Sequence, residues 1–347
     1  MVQLGDNDQQ GGVLTILTPH EHLDGSGDDS AEVLARLGMR RAMPYFQDEH
    51  PRITFVTLAD VLTLGLVDVE TFRTGYQELA RRFAGFGVGA MLPLDRVWVG
   101  VSSSLPDFGG FHHRGQGYRH MQAVALLTRY GDLTGATRVS PRLTALDLLR
   151  GYGHDTVHWA SYRVYTLWHQ HEQEPVRRIR FGINTRAVDG STYSSRDSRA
   201  SRTTRNLGVV MEGAGDREAC RAARTAARQH DIAVVETDHI DRVAYLDHTG
   251  QLTEDDLRHA AAVVEPGAPA ADYLSALSSF ARGVTRRYDS FLAEFGGATP
   301  DELHDVIVAS ILNGSIEHVD AWLRQVHGPA VTFEAIFRTT AARQRTQ

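Results

Sequence analysis

Two histidines four residues apart have the types and spacing that best fit a chemical role in this chain. His154 and His158 lie in the segment 146–165, whose pattern predicts a helix. Residues four apart share one face of a helix, so both imidazoles should point the same way, about one turn apart. Two imidazoles placed in this way can bind one divalent cation. Asp155 directly follows the first histidine and could orient or deprotonate a water molecule on that cation.

This pattern resembles the His-Glu-x-x-His helix of zinc metalloproteases and zincin-like metallohydrolases, with Asp155 where that family has glutamate. Aspartate is one methylene shorter, so a base at this position reaches less far. The resemblance implies a zinc cofactor, His154 and His158 as ligands and Asp155 as the catalytic carboxylate. The expected activity is metal-dependent hydrolysis of a peptide or of a small-molecule amide.

A zinc site also needs a third protein ligand. We consider His304, in a predicted helix over 299–312, and Glu317 and His318, in a predicted helix over 315–327. His113 and His120 are rival candidates that lie nearer to the pair in the sequence. The metalloprotease resemblance favours Glu317, because a downstream helical glutamate often completes such sites. Helical phase instead places His304 on the apolar face of its helix and Glu317 on the side opposite the apolar face of the next helix. The choice of third ligand therefore stays open.

The predicted helix continues beyond His158, and two further polar side chains follow one turn later. Tyr162 and Arg163 occupy these positions. Either could stabilise a developing oxyanion, which gives both a predicted catalytic role.

A second motif, His20-Glu21-His22-Leu23-Asp24-Gly25, follows the apolar run 13–17. It resembles the His-x-His-Leu-Asp-Gly stretch at the end of the first strand in adenosine deaminases, a metal-dependent barrel family. The resemblance implies an amidohydrolase or deaminase that uses His20 and His22. That family's later His-Ala-Gly-Glu and Thr-Asp-Asp-Pro segments are not found in this chain.

A third hypothesis is a non-catalytic helical binding or regulatory protein whose histidine pair is structural. Its basis is a tract with an arginine at every third position, 196–205, which could meet an acidic partner. A hydrophilic loop explains the tract as well.

Composition narrows the classes of function. The net charge of −7 gives no general attraction to nucleic acid, and no apolar run approaches the roughly 20 residues of a membrane span. A single cysteine excludes an intrachain disulfide framework, and the polar segment 1–12 lacks a secretory pattern, so we expect a cytoplasmic protein. All 36 basic residues are arginine, which excludes lysine Schiff-base chemistry and the lysine of a phosphate-binding loop.

The pattern of elements predicts an α+β protein that is predominantly helical, with a small mixed or antiparallel sheet. We expect a disordered segment 1–12, an α+β domain over 13–265 that carries the metal helix, and a helical region over 266–347 that packs on the same core or stands apart. The predicted elements that matter below are a helix over 69–83, a long helix from 141 through 165, strands over 176–186, 207–211 and 232–235, and helices over 118–130, 216–229, 253–264 and 270–294.

Overall fold

A computed structural model defines the fold. It describes residues 20–23, 31, 50–103, 109–111, 124–127, 133, 140–167, 176–185, 194, 196–234 and 238–337. The predicted disordered segment 1–12 and the apolar run 13–17 lie outside the described residues.

Helices dominate the described chain. The strands are β1 (Glu21–Leu23), β2 (Ile53–Thr57), β3 (Val97–Ser103), β4 (Gly109–Phe111), β5 (Val124–Leu127), β6 (Arg163–Leu167), β7 (Val176–Phe181) and β8 (Asn184–Thr185). The helices are α1 (Leu58–Val61), α2 (Val69–Gly85), α3 (Pro141–Ala160), α4 (Leu207–Gln229), α5 (His239–His248), α6 (Glu254–Val263), α7 (Pro269–Phe280), α8 (Arg286–Phe295), α9 (Pro300–Asn313), α10 (Glu317–His327) and α11 (Phe333–Phe337). A π-turn (Ala281–Thr285) joins α7 to α8.

The strands form two small sheets. In the first, with the order β1-β6-β7-β8, β6 runs parallel to β1 and antiparallel to β7. In the second, with the order β2-β3-β5-β4, β3 runs antiparallel to β2 and parallel to β5. The predicted class, a predominantly helical α+β protein, is confirmed, and the predicted small mixed or antiparallel sheet is in fact two small mixed sheets. None of the helices in the described part of the chain combines the length and the apolar character that a membrane crossing requires.

The predicted long helix over 141–165 is too long at its end. α3 stops at Ala160, and Ser161 adopts an extended conformation while its hydroxyl donates to the carbonyl of Val157 at 2.8 Å. The backbone N–H of Tyr162 donates to the carbonyl of Ile311 at 3.1 Å, and β6 then pairs with β1 and β7. Sheet pairing at 163–167 therefore overrides local helix propensity.

Three other element predictions are wrong. The segment 207–211 is the first part of α4 and not a strand, 124–127 is a strand within the predicted helix 118–130, and no strand lies in the described part of 232–235. The side chain of Asn206 caps α4 by accepting from the backbone N–H groups of Gly208 and Val209. A capping asparagine of this kind satisfies free donors at a helix start and so fixes the helix where β-branched residues alone favour a strand.

The core is built around the contact between α3 and α4, which is the most extensive between any two elements in the described chain. The main apolar cluster includes buried residues from Leu58 to Phe337, so residues on both sides of 265 share it. A second, smaller cluster joins α5, α6 and α7. Together, α3 and α4 form the scaffold on which the candidate site is placed.

Candidate metal centre

α3 presents the two histidines as the spacing predicts. The helix begins at Pro141, with Ser140 as its cap, because the serine hydroxyl accepts from the N–H of Leu143 at 3.4 Å. One turn apart on the same face, the Nε2 atoms of His154 and His158 lie 3.1 Å from each other. Their ring centroids are 4.7 Å apart.

α4 supplies a carboxylate to the same place because small residues let the two helices approach closely. A Cβ atom on Gly153 of α3 would lie 3.1 Å from the Cα of Ala219 in α4. A Cβ atom on Gly215 would lie 3.5 Å from Nδ1 of His154. This approach brings Glu212 to the histidine pair: its Oε2 lies 3.2 Å from His154 Nε2 and 3.3 Å from His158 Nε2.

The three groups differ in their access to solvent. The His158 side chain is 6% exposed, that of His154 is 21% exposed, and that of Glu212 is 45% exposed. Phe181 of β7 stacks on the His158 ring, with centroids 5.8 Å apart. The site is therefore closed beneath His158 and open beside Glu212.

The spacing of the donor atoms fits a tetrahedral cation. Zinc binds nitrogen and oxygen at about 2.0–2.1 Å, and tetrahedral angles then place neighbouring ligand atoms about 3.3 Å apart. The three donor atoms of His154, His158 and Glu212 are 3.1 to 3.3 Å apart. Two neutral imidazoles and one carboxylate match the ligands that catalytic zinc sites use, with a fourth position left for water or substrate.

The electrostatics of the site also favour a positive charge. Burial opposes protonation of His154, but a hydrogen bond to Glu212 and the charge of that carboxylate raise the pKa of His154 to about 9. Burial likewise opposes the charged form of Glu212, but the charge of His158 and hydrogen bonds from both imidazoles hold the pKa of Glu212 well below its usual range. A metal ion would replace the proton that His154 otherwise carries.

A second group of potential ligand atoms is already occupied by an arginine. In the described part of the chain, Glu218, His304 and Asp305 are the other group whose ligand atoms lie within 4.8 Å of one another. The guanidinium of Arg82 bonds both carboxylates there, with Nη2 lying 3.1 Å from Glu218 Oε1. We therefore assign this group to an ion-pair network and not to a metal.

The predicted third ligands are placed elsewhere. Buried His304 donates from Nε2 to Glu218 at 2.8 Å and accepts at Nδ1 from the hydroxyl of Tyr288 at 2.8 Å. Glu317 and His318 are exposed on α10 and belong to neither group of ligand atoms among the described residues. The structure thus pairs Glu212, and not His304, Glu317 or His318, with the two histidines. The rival candidates His113 and His120 lie outside the described residues.

The predicted oxyanion donors do not follow His158 on the helix, because α3 ends before them. Tyr162 stacks on His22 with centroids 4.5 Å apart and lies against the backbone of Gly314. Arg163 is completely buried, donates to the carbonyls of Trp159 and Ser161, and lies 3.6 Å from a carboxylate oxygen of Glu21. Arg163 is thereby committed to a buried ion pair in the first sheet.

Asp155 keeps its predicted place next to the first ligand, but it is only 4% exposed. The charge of this carboxylate is among the influences that raise the pKa of His154. Asp155 is thus an electrostatic neighbour of the site, held in the interior.

Of the two histidines of the second motif, His20 directly precedes β1 and His22 lies within it. His20 is buried, with its ring in edge contact with Trp159, and burial followed by the charge of Arg163 lowers its pKa to about 4. His22 stacks on Tyr162. Neither histidine joins a group of three ligand atoms among the described residues.

The arginine tract does not form a regular stripe, because 196–205 is neither helix nor strand in its described residues. Arg205 is paired with Glu294 at 2.6 Å, and Asp197 accepts from the hydroxyl of Thr204 and from the backbone N–H of Arg205. Arg196, Arg199 and Arg202 are exposed. Arg287 of α8 also donates to the carbonyl of Ser198 at 3.2 Å, so the tract is a loop held against α8.

Comparisons of the chain with protein-family models, with curated protein sequences and with solved structures give no match. The assignment of this site consequently rests on its own geometry. The sequence does not predict Glu212 as a ligand, because the pattern of 207–211 favours a strand and not the start of a helix. The usable signal was Asn206 as a helix cap, followed by small residues at Gly215 and Ala219, four apart on one helical face.

Proposed function

We propose that this protein is a metal-dependent hydrolase whose zinc ion is bound by His154, His158 and Glu212. The observation that supports this proposal is the convergence of the three donor atoms at mutual distances of 3.1 to 3.3 Å. The His-x-x-x-His spacing within a helix is typical of zinc hydrolases and adds to that support.

The chemistry divides between the ion and the chain. A bound zinc ion would polarise a carbonyl and lower the pKa of a coordinated water toward about 7. The exposed side of the site, beside Glu212, is where a substrate would enter. We propose a peptide or a small-molecule amide as the substrate, and Asp155 as the carboxylate that accepts a proton.

Metal analysis of the purified chain is the direct test. We expect stoichiometric zinc in the native protein and its loss in His154→Ala, His158→Ala and Glu212→Gln, because each variant removes one of three donors. Glu317→Gln and His318→Ala are matched controls on exposed α10 and should keep the metal. Stoichiometric iron would instead favour a non-haem oxygenase, which uses the same two-histidine, one-carboxylate donors. If the native protein takes up no metal after loading and dialysis, the hydrolase proposal is wrong and the non-catalytic binding protein is the hypothesis that remains.

A second measurement concerns Asp155. Asp155→Asn should retain zinc while hydrolysis of a quenched fluorescent peptide mixture falls by about 10²-fold or more, since general acid–base catalysis contributes about that much. His20→Ala serves as the control for the deaminase-like alternative, and it should leave zinc and hydrolysis unchanged. Loss of zinc in His20→Ala alone would favour that alternative.

A further inference from the structure

An open groove of about 520 Å³ lies between α6 and α7, far along the chain from the metal ligands. It continues past the π-turn to Arg286, the first residue of α8. Small-molecule sites usually measure about 300–1,000 Å³. The groove is therefore large enough for a small organic ligand.

One end of the groove is apolar. α6 and α7 are joined by the short segment 264–268, so the end of α6 and the start of α7 lie together there. The apolar side chains that line this end are Leu257 and Ala261 of α6, Val264 directly after α6, and Ala271 and Leu274 of α7. Leu257 and Leu274 are buried and belong to the small apolar cluster beneath the groove.

The other end of the groove is cationic. Arg258, Arg282 and Arg286 line it together with a single carboxylate, that of Glu254. Glu254 pairs with Arg286, which places the start of α6 beside the start of α8. Three arginines against Glu254 and the neighbouring Asp255 leave this end with an excess of positive charge in a chain whose net charge is −7.

Two of these arginines, Arg258 and Arg282, can bind a further anion. Arg282 donates from Nε to the carbonyl of Ser278 at 3.2 Å, and no carboxylate of the described residues pairs with its guanidinium. Arg258 pairs with Asp255, but both side chains are about 70% exposed, so that ion pair contributes little. A guanidinium can bind a carboxylate through two parallel hydrogen bonds.

We infer that the groove binds an amphipathic carboxylate, with its anionic head at Arg282 and an unbranched apolar tail along Leu257 and Leu274. The ten residues of α6 span about 15 Å, a length suited to a medium-chain fatty acid. The inference concerns a site separate from the metal centre, so it stands or fails independently of the proposed hydrolase activity.

Calorimetric titration of the full chain with octanoate tests this inference. We expect octanoate to bind one to one, and acetate and 1-octanol to bind at least tenfold more weakly, because the first lacks the tail and the second lacks the charge. Arg282→Gln should weaken octanoate binding by about tenfold, since charge-assisted hydrogen bonds are roughly twice as strong as neutral ones. Arg73→Gln, at an exposed arginine on α2, is the control and should leave the affinity unchanged.

A neighbouring pair of alanines separates occupation of the groove from a general effect on α6. Both are exposed, but Ala261 lines the groove and Ala262 does not. Ala261→Trp should abolish octanoate binding, whereas Ala262→Trp should preserve it. Equal affinities for acetate and octanoate, or for octanol and octanoate, would overturn the inference, as would an Ala261→Trp variant that binds normally. Unchanged circular dichroism and melting temperature establish that each variant is folded.

Discussion

At the scale of single residues, Arg163 illustrates how burial decides what a charged group does. Its guanidinium and the carboxylate of Glu21 are both completely shielded from solvent, 3.6 Å apart. Tyr165 donates its hydroxyl to the same carboxylate at 3.1 Å. A buried carboxylate that loses its counterion is strongly destabilising, so Arg163 stabilises the pairing of β1 with β6.

Arg163→Met should therefore lower the free energy of unfolding by about 3–5 kcal/mol, the usual result of removing one partner of a buried ion pair. The double variant Arg163→Met with Glu21→Gln should recover part of that loss, because it also removes the buried negative charge that Arg163 balances. Urea denaturation measures both effects, and the zinc content of the folded variants should stay unchanged. A loss of metal or activity at full stability would instead return Arg163 to the catalytic role that the sequence predicts.

At the scale of secondary structure, the contact between α3 and α4 sets the distance from the histidines to Glu212. At Gly153 the two helices approach so closely that an added Cβ atom would lie 3.1 Å from Ala219, and at Gly215 an added Cβ atom would lie 3.5 Å from the His154 ring. The interhelical distance depends on the side chains at the contact, so larger residues here move the helices apart. The donor atoms of His154, His158 and Glu212 lie about 3.2 Å from one another. If α4 moved away from α3 by even about 1 Å, the three atoms would no longer all lie within bonding distance of one cation.

Gly153→Leu tests this dependence. The larger side chain meets the backbone of Ala219, so we expect a loss of about 1–3 kcal/mol in unfolding free energy from overpacking. Zinc affinity should fall by more than tenfold at the same time. Gly85→Leu is the control, because a Cβ atom at Gly85 meets nothing within 4 Å, and its effect should stay within about 0.5 kcal/mol. Normal zinc affinity in a folded Gly153→Leu protein would mean that the helix spacing does not define the site.

The parts of the structure that depend on local periodicity are those that the sequence predicts well. α2, α9 and the shared face of His154 and His158 follow from apolar and polar spacing within single helices. The end of α3 cannot be predicted from such spacing, because the chain leaves that helix to form β6, which pairs with β1 and β7. Glu212 cannot be placed from such spacing either, because its position beside the histidines arises from the packing of α4 on α3. The small residues Gly215 and Ala219 indicate a close helix contact but do not identify the helix that makes it.

At the scale of the whole molecule, one buried polar network connects four helices. Tyr288 of α8 donates to His304 of α9, which donates to Glu218 of α4. Arg82 of α2 bonds Glu218 and Asp305. Every member but Asp305 is largely shielded from solvent, so the network should act as one cooperative unit.

Glu218 makes the stability of the molecule depend on pH. Burial opposes its charge, but hydrogen bonding and charge from His304 and then Arg82 lower the pKa of Glu218 from 4.5 to about 2. Because the pKa is depressed in the folded state, the stabilisation is complete above about pH 4.5 and is lost as the pH falls toward 2. A shift of this size corresponds to about 3 kcal/mol. Burial also lowers the pKa of His304, which adds to the loss in acid.

Glu218→Gln should lower the unfolding free energy at pH 7 by about 3 kcal/mol, and the difference from the native chain should shrink as the pH falls from 4.5 to 2. Urea denaturation at a series of pH values measures both quantities. Glu70→Gln, at an exposed side chain paired with Arg73, is the control and should change stability by no more than about 0.5 kcal/mol. Parallel pH profiles for Glu218→Gln and the native chain would show that the network does not couple Glu218 to the fold. The expected convergence at low pH would locate that coupling at the Glu218 carboxylate.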